Sequence, residues 1–191
     1  MTTADVKTVC LNWFDAMRSG GLEDFAARVH PEAVNREART EPWSCRVPGP
    51  AGTHATAVLL RSAFADLDWT VHDVVAEDDM VVVHVTMSGR HVNTMYSYGE
   101  DGRVKSAFPP TGRRFAVTQT HLCRMTGGLI ADHWANRDDL GMAEQLRWVP
   151  PTPAYLARMA LELRRARRAE ARAGGPIAEG HHHRPAPSGS E

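Results

Sequence analysis

The sequence predicts an α+β domain, with helices packed on one face of a mostly antiparallel sheet. Three observations predict it. Apolar residues recur at helical spacing through the first third of the chain. The period then drops to two. The strand-like part ends in a Gly-Gly hairpin signal followed by a short helical segment.

Val6, Val9, Cys10, Trp13, Phe14 and Met17 share one helical stripe, which Gly20-Gly21 ends. Leu22 to Val29 reads as a second short helix, stopped by His30-Pro31. Residues 40–53 hold three Pro and two Gly and read as a loop. Ala55 to Ala65 is helical again. Trp69 to Val75 alternates as a strand does. In Met80 to Ser88, Val81, Val83, Val85 and Met87 make one apolar face, with His84, Thr86 and Ser88 on the other. Gly89 to Tyr98 is expected to continue the sheet. Gly99 to Gly102 and Pro109 to Gly112 read as turns.

The clearest signal is the last hairpin. Phe115 to Met125 is one strand and Leu129 to Asp138 the next, joined through Thr126-Gly127-Gly128. Asp139 is expected to cap a short helix running through Leu146. From Thr152 to Ala173 the pattern is helical, with Pro153 in the first turn, but Arg164 to Arg168 leaves too few apolar positions for a core helix. Gly174 to Glu191 holds four Gly and three Pro and reads as disordered, and His181 to His183 lies inside it without fixed geometry. The expected organisation is a domain over 1–149, a basic C-terminal helix over 150–173 and a tail over 174–191.

With 191 residues, 42% hydrophobic and 24% charged, the chain suits one globular domain with a real core. Net charge is −1. Residues 150–191 carry seven Arg and four Glu, a balance of +3, which leaves −4 for residues 1–149. That distribution gives no reason to expect nucleic acid as a partner. Cys10, Cys45 and Cys123 are odd in number and widely spaced, against both a disulfide framework and a zinc site. Neither a secretory signal nor a membrane-spanning run is visible, so a cytoplasmic location and no membrane partner are expected.

Strand parity sorts the polar residues of the hairpin. Phe115, Val117, Gln119, His121, Cys123 and Met125 share one face. Ile130, Asp132, Trp134, Asn136 and Asp138 share another, leaving His133 and Arg137 to water. A two-residue loop at Thr126-Gly127 sets His121 opposite Asp132; a longer one sets it opposite Trp134. In either register Gln119, His121, Asp132, Asn136 and Asp138 are too many polar groups for a small dry core. A polar-lined cavity between sheet and helices accounts for them, walled by Trp13, Trp69 and Trp134.

The run Pro109-Pro-Thr-Gly-Arg-Arg114, Thr120-His121, Gly128-Leu-Ile130, Asp132-His-Trp134, Arg137-Asp-Asp-Leu140 and Gln145-Leu146 resembles the SnoaL-like polyketide cyclases of the nuclear transport factor 2-like superfamily. His30 to Val34, Phe64 to Leu67 and Ser88 to His91 fit the same pattern, so the likeness covers roughly residues 5–147. The resemblance implies a cone-shaped curved sheet whose helices close an internal pocket. It implies subunits that associate through their sheets, most simply as a homodimer, and neither metal nor organic cofactor. It also implies ring closure by an aldol-type reaction on a polyketide ester or another small hydrophobic molecule. An Asp serves as acid/base there; Asp138 is the position that matches it, with His121 as its polar companion. Trp13, Gln119, Asp132, Trp134, Asn136, His84 and His91 are the expected substrate contacts, His84 standing where the family commonly has an Arg. Residues 92–108 are longer and more polar than the usual link.

One carboxylate in an apolar pocket can serve as base and then as acid, because desolvation raises its pKa toward neutrality. Two other readings compete: epoxide opening by Asp132, Arg137 and Asp138, disfavoured by the parity of Arg137, and a non-catalytic ligand-binding or dimerisation module. Limited proteolysis should trim Gly174 to Glu191 and leave the rest intact; a protected tail would contradict the organisation read here.

Overall fold

The most apolar strand-like run becomes an interior strand of a five-stranded sheet in the computed structural model, which describes residues 3–173. The expected tail and its His181 to His183 lie outside the described residues. The elements are α1 (Thr3–Ser19), α2 (Leu22–Ala26), β1 (Val29–Asn35), a 3₁₀ turn (Arg36–Thr40), α3 (Trp43–Arg46), α4 (Pro50–Ala63), β2 (Phe64–Glu77), β3 (Met80–His91), β4 (Met95–Tyr98), β5 (Val104–Phe108), β6 (Arg114–Thr126), β7 (Leu129–Arg137), α5 (Asp139–Gln145) and α6 (Pro153–Arg172). The sheet runs β1-β7-β6-β3-β2, parallel only between β1 and β7.

Alternation decides the core. Val81, Val83 and Val85 of β3 are fully buried, beside Phe115, Val117 and Cys123 of β6. Against them α1 sets the stripe Cys10, Trp13, Phe14 and Met17. Full burial of each such side chain contributes about 1.5–3 kcal/mol. Helix α1 ends where Gly20 N–H donates to Ala16 O at 2.7 Å; a Cβ at Gly20 would sit 2.7 Å from Ala16 Cα, so only glycine allows this approach. Register shifts in β2 between Ala65 and Asp68 and between Val71 and Asp73 bend the strand and curl the sheet around α1.

Four expectations about the elements change. His30-Pro31 does not stop a helix: α2 ends at Ala26, and residues from Val29 form β1. An edge strand tolerates Pro31, whose missing N–H falls in the irregular stretch of the β1–β7 pairing. The expected loop over 40–53 contains α3 and the start of α4, with Pro50 in the first turn, where a missing N–H is harmless. The sheet does not continue through Tyr98. After His91 the chain leaves it, and β4 pairs with β5 in a separate two-stranded ribbon. The cap of α5 is Asp138 rather than Asp139.

The hairpin β6–β7 turns on Gly127-Gly128, both at positive φ (57° and 85°), the conformation that a two-residue hairpin loop demands. Thr126 pairs with Leu129 and Met125 with Ile130, but Arg124 then pairs with Asp132. Ala131 is the extra residue of a β-bulge, and it reverses the parity of the rest of β7. His121 therefore stands opposite Ala135, not Asp132 or Trp134.

Helix α6 lies on β5. Its one buried residue, Tyr155, donates its hydroxyl hydrogen to Pro109 O at 3.1 Å, and Glu170 Oε1 accepts from Val104 N–H at 2.8 Å. Tyr155→Phe leaves that carbonyl without its partner and should lower stability by about 1 kcal/mol, read as a lower urea midpoint. An unchanged midpoint would show that the bond does not hold the helix.

Candidate active site

Between the inner face of the sheet and the helices lies a cavity of about 280 Å³. Trp13 and Met17 come from α1, Thr56 and Leu60 from α4, and Trp69, Met87, Gln119, His121 and His133 from the sheet. The β4–β5 ribbon adds Met95, Tyr96 and Phe108, so the long link over 92–108 supplies a wall. Polar groups on the wall include Asn35, Glu37, Glu41, Arg137 and Asp139.

Of the residues expected at the site, Trp13, Gln119 and His121 line this cavity. Asp132, Trp134 and Asn136 do not, because the bulge at Ala131 turns them outward. Asp132 instead accepts from Arg36 Nε at 2.9 Å, and the same guanidinium lies 4.8 Å over the Trp134 ring. His84 also faces away from the cavity. It sits 3.7 Å from the Asp73 carboxylate and against His72, with ring centroids 5.1 Å apart. His91 is buried behind the wall, edge-on to Trp148 at 5.2 Å, with burial lowering its pKa to about 4. Asp138 is exposed at the end of β7; its Oδ1 accepts from Gly141 N–H at 2.8 Å, capping α5. The rival set of Asp132, Arg137 and Asp138, disfavoured by parity, is likewise dispersed, and Arg137 alone of the three reaches the cavity.

The bulge brings in the residues that the sequence assigned to water. His133 is buried, and its Nε2 lies 2.9 Å from His121 Nδ1, with the rings stacked at 20°. Its Nδ1 lies 3.0 Å from Asn35 Oδ1. That oxygen also accepts from Glu37 N–H at 3.3 Å, which fixes which end of the amide is oxygen. The direction of the whole chain follows. His133 donates from Nδ1, so neutral His133 offers Nε2 as an acceptor, and His121 donates to it from Nδ1. The remaining nitrogen of His121, Nε2, carries a lone pair.

Gln119 Oε1 lies 2.9 Å from that Nε2. Two acceptors cannot bond each other, so this arrangement suits His121 as an imidazolium. With a neutral ring the Gln119 amide turns its NH₂ to Nε2 instead. Its other contact, Nε2 to Met87 Sδ at 3.1 Å, is to a weak acceptor and resists such a turn little. Burial first, then the charges of His133 and Arg137, hold the pKa of His121 well below its ordinary 6.5. Burial, and then Arg137, take His133 to about 4, Asp132 opposing. The resting pair is neutral.

Glu41 was read as part of a loop and carries no motif that would have marked it. It is 7% exposed, and Thr56 Oγ1–H donates to its Oε2 at 2.6 Å. Burial raises its pKa, partly offset by that hydroxyl.

Residues 8–146 match the family described as SnoaL-like polyketide cyclase. The chain belongs to this family. It is 30% identical over 141 residues to the aklanonic acid methyl ester cyclase DnrD of Streptomyces peucetius, covering 73% of this chain and 88% of that one. The nogalonic acid methyl ester cyclase of Streptomyces nogalater is 26% identical over 133 residues, covering 69% of this chain and 89% of that protein. Among solved structures, TsrD from Streptomyces laurentii superposes with a TM-score of 0.61 at 28% identity, covering 76% of this chain and 97% of the other. The chain pairs a curved, unclosed sheet with helices, and the superposition with TsrD extends over most of both chains. Helix α6 lies beyond the matched residues. Among the described residues no helix is long and apolar enough to cross a membrane.

The buried imidazoles tie stability of this SnoaL-like domain to pH. His91 and His133 hold values near 4 in the fold against about 6.5 unfolded. Between those values the unfolded chain binds more protons. Stability is therefore complete above about pH 6.5 and falls as the pH drops toward 4. Glu41, with its raised value, works in the opposite sense, but it is one carboxyl against three depressed imidazoles, His121 included. The urea midpoint should be lower at pH 5 than at pH 7; an equal or higher midpoint would contradict the burial of these rings.

Proposed function

We propose that the protein closes a ring on a small hydrophobic polyketide-type ester by cofactor-free, aldol-type acid/base chemistry, with His121 Nε2 as the base. The observation that carries the reading is the directed chain from His121 through His133 to Asn35. It leaves His121 Nε2 with a lone pair at the wall of the cavity, covered only by the Gln119 amide, in the Thr120-His121 pair within the matched residues. The relatives named for aklanonic and nogalonic acid methyl esters support the substrate class.

The chemistry balances without a further reactant. Nε2 takes a proton alpha to one carbonyl as Gln119 swings aside, leaving an enolate and an imidazolium. The enolate carbon bonds to a second carbonyl carbon, whose π pair becomes an alkoxide. That oxygen takes up a proton to give the ring alcohol. Once protonated, Nε2–H donates to Gln119 Oε1 in the geometry of the structure. Trp13 and Trp69 confine the folded substrate, and holding its ends together lowers the barrier further.

Self-association belongs to the same reading. Val75, Val82, Leu122 and Trp134 are register neighbours across β2, β3, β6 and β7 and form an apolar stripe on the outer face of the sheet. Val75 is 62% exposed. Such a stripe supports a homodimer joined sheet to sheet.

The test is turnover of an aromatic polyketide methyl ester, followed as ring-closed product. His121→Gln should reduce it by about 10²- to 10⁴-fold. Asp138→Asn, which keeps a capping oxygen, should retain it. Full turnover in the His121 variant would sink the assignment, and a comparable loss in the Asp138 variant would return the role to Asp138.

A further inference from the structure

We propose that Glu41 is the catalytic acid of the cavity, delivering a proton to the alkoxide that ring closure creates. The proposal rests on the cyclase reading and supplies the second residue that reading requires. Glu41 follows the 3₁₀ turn, its N–H donating to Ala38 O at 3.0 Å, and its side chain forms part of the cavity wall. Among the described residues it forms no ion pair, although it is 7% exposed. The Arg137 guanidinium acts on it only from beyond ion-pair distance and offsets part of the lost hydration of an ionised carboxylate; burial outweighs it, and a neutral carboxyl needs no such offset.

Its hydrogen bonds continue the direction set by the histidines. Asn35 accepts from His133 through Oδ1 and donates through Nδ2 to Thr56 Oγ1, at 3.4 Å. Thr56 therefore directs its own hydrogen to Glu41 Oε2, at 2.6 Å. One chain thus runs from the lone pair of His121 to the carboxyl of Glu41, with every hydrogen pointing the same way. Its head is a proton acceptor. At its tail Oε2 is occupied by the Thr56 hydroxyl, which leaves Oε1 to hold the acidic proton. Burial, the largest influence, raises the pKa of Glu41, with a small contribution from Glu37; the hydrogen bonds from Thr56 and the Cys45 thiol and the charge of Arg137 oppose it without cancelling it. The Cys45 thiol is itself held protonated, with a pKa of about 11.

During ring closure His121 gains the proton lost from carbon, and Glu41 gives its own to the new alkoxide oxygen. The pair ends as imidazolium and carboxylate, so the net charge of the cavity is unchanged. One proton returned from His121 to Glu41 through water resets both. This is the pattern expected of an acid and a base whose surroundings push their pKa values apart.

Glu41→Gln separates this role from a structural one. Glutamine fills the same volume and still accepts from Thr56, so a purely structural Glu41 predicts unchanged turnover. As the acid, its loss should lower kcat by ~10²-fold or more, leave KM and Tm near wild type, and abolish the alkaline limb of the kcat profile. Glu41→Asp, which keeps a titratable carboxyl, should retain more turnover than the Gln variant. Full kcat with an intact alkaline limb in Glu41→Gln overturns the proposal, and so does a loss explained by a fallen Tm.

An infrared measurement needs no substrate. The wild-type protein at neutral pH should show the carbonyl stretch of a protonated carboxyl that Glu41→Gln lacks, and its absence also overturns the proposal. A wild-type protein that shows the band yet closes no ring overturns the cyclase reading, and with it the alkoxide as acceptor, while leaving Glu41 as the cavity's acid.

Discussion

The unpaired residue Ala131 governs what the cavity contains. By occupying one position of β7 without a partner on β6, it exchanges the two faces of the strand for the rest of its length. Ile130 remains in the core, while Asp132 and Trp134 turn to the outside and His133 and Arg137 turn in. Asp132 then meets Arg36 where water supports the pair, instead of facing apolar side chains as an uncompensated charge. The β1–β7 pairing is irregular at the same level, between Val29 and Val34, so the neighbouring strand accommodates the bulge rather than resisting it.

Polar side chains in such a space are costly unless each finds a partner; an unsatisfied buried group costs about 1–3 kcal/mol. Asn35, Glu41, Thr56, Gln119, His121 and His133 meet that condition together. Glu37 N–H anchors one amide, and the direction of every bond from there follows from which atoms can donate. The same low polarity that makes these bonds necessary lowers the pKa of both imidazoles and raises that of the carboxyl. Structural satisfaction and chemical readiness thus have one cause.

The ribbon β4–β5 and helix α6 form a second layer around the cavity. The ribbon presents Met95, Tyr96 and Phe108 inward, and α6 holds it from outside through Tyr155 and Glu170. Arg46 adds a bond from its guanidinium to Gly99 O at 2.7 Å, and the Trp43 indole packs against Gly102, where no Cβ would fit. The basic helix is thus tied to the wall of the cavity through backbone atoms of the ribbon and the Pro-Pro turn.

Local pattern determined the helices, the period-two strands, the Gly-Gly hairpin and the inward faces of β3 and β6, because Val81 to Met87 and Phe115 to Met125 repeat their alternation without interruption. It also placed Trp13, Gln119 and His121 at a polar-lined cavity, and the motifs of residues 109–146 carried the family. What it did not determine was the far half of the site. A bulge leaves no mark in composition or spacing, so His133 and Arg137 were assigned to water and Asp138 to the interior. Asn35 lies between the His30-Pro31 helix stop and the loop read from residue 40, and Glu41 lies inside that loop. Their partners, His133 and Thr56, stand 98 and 21 residues from Asn35 along the chain. Only the tertiary structure closed those separations, because register and hydrogen-bond direction are fixed by contacts between strands and helices rather than by the preferences of any one segment.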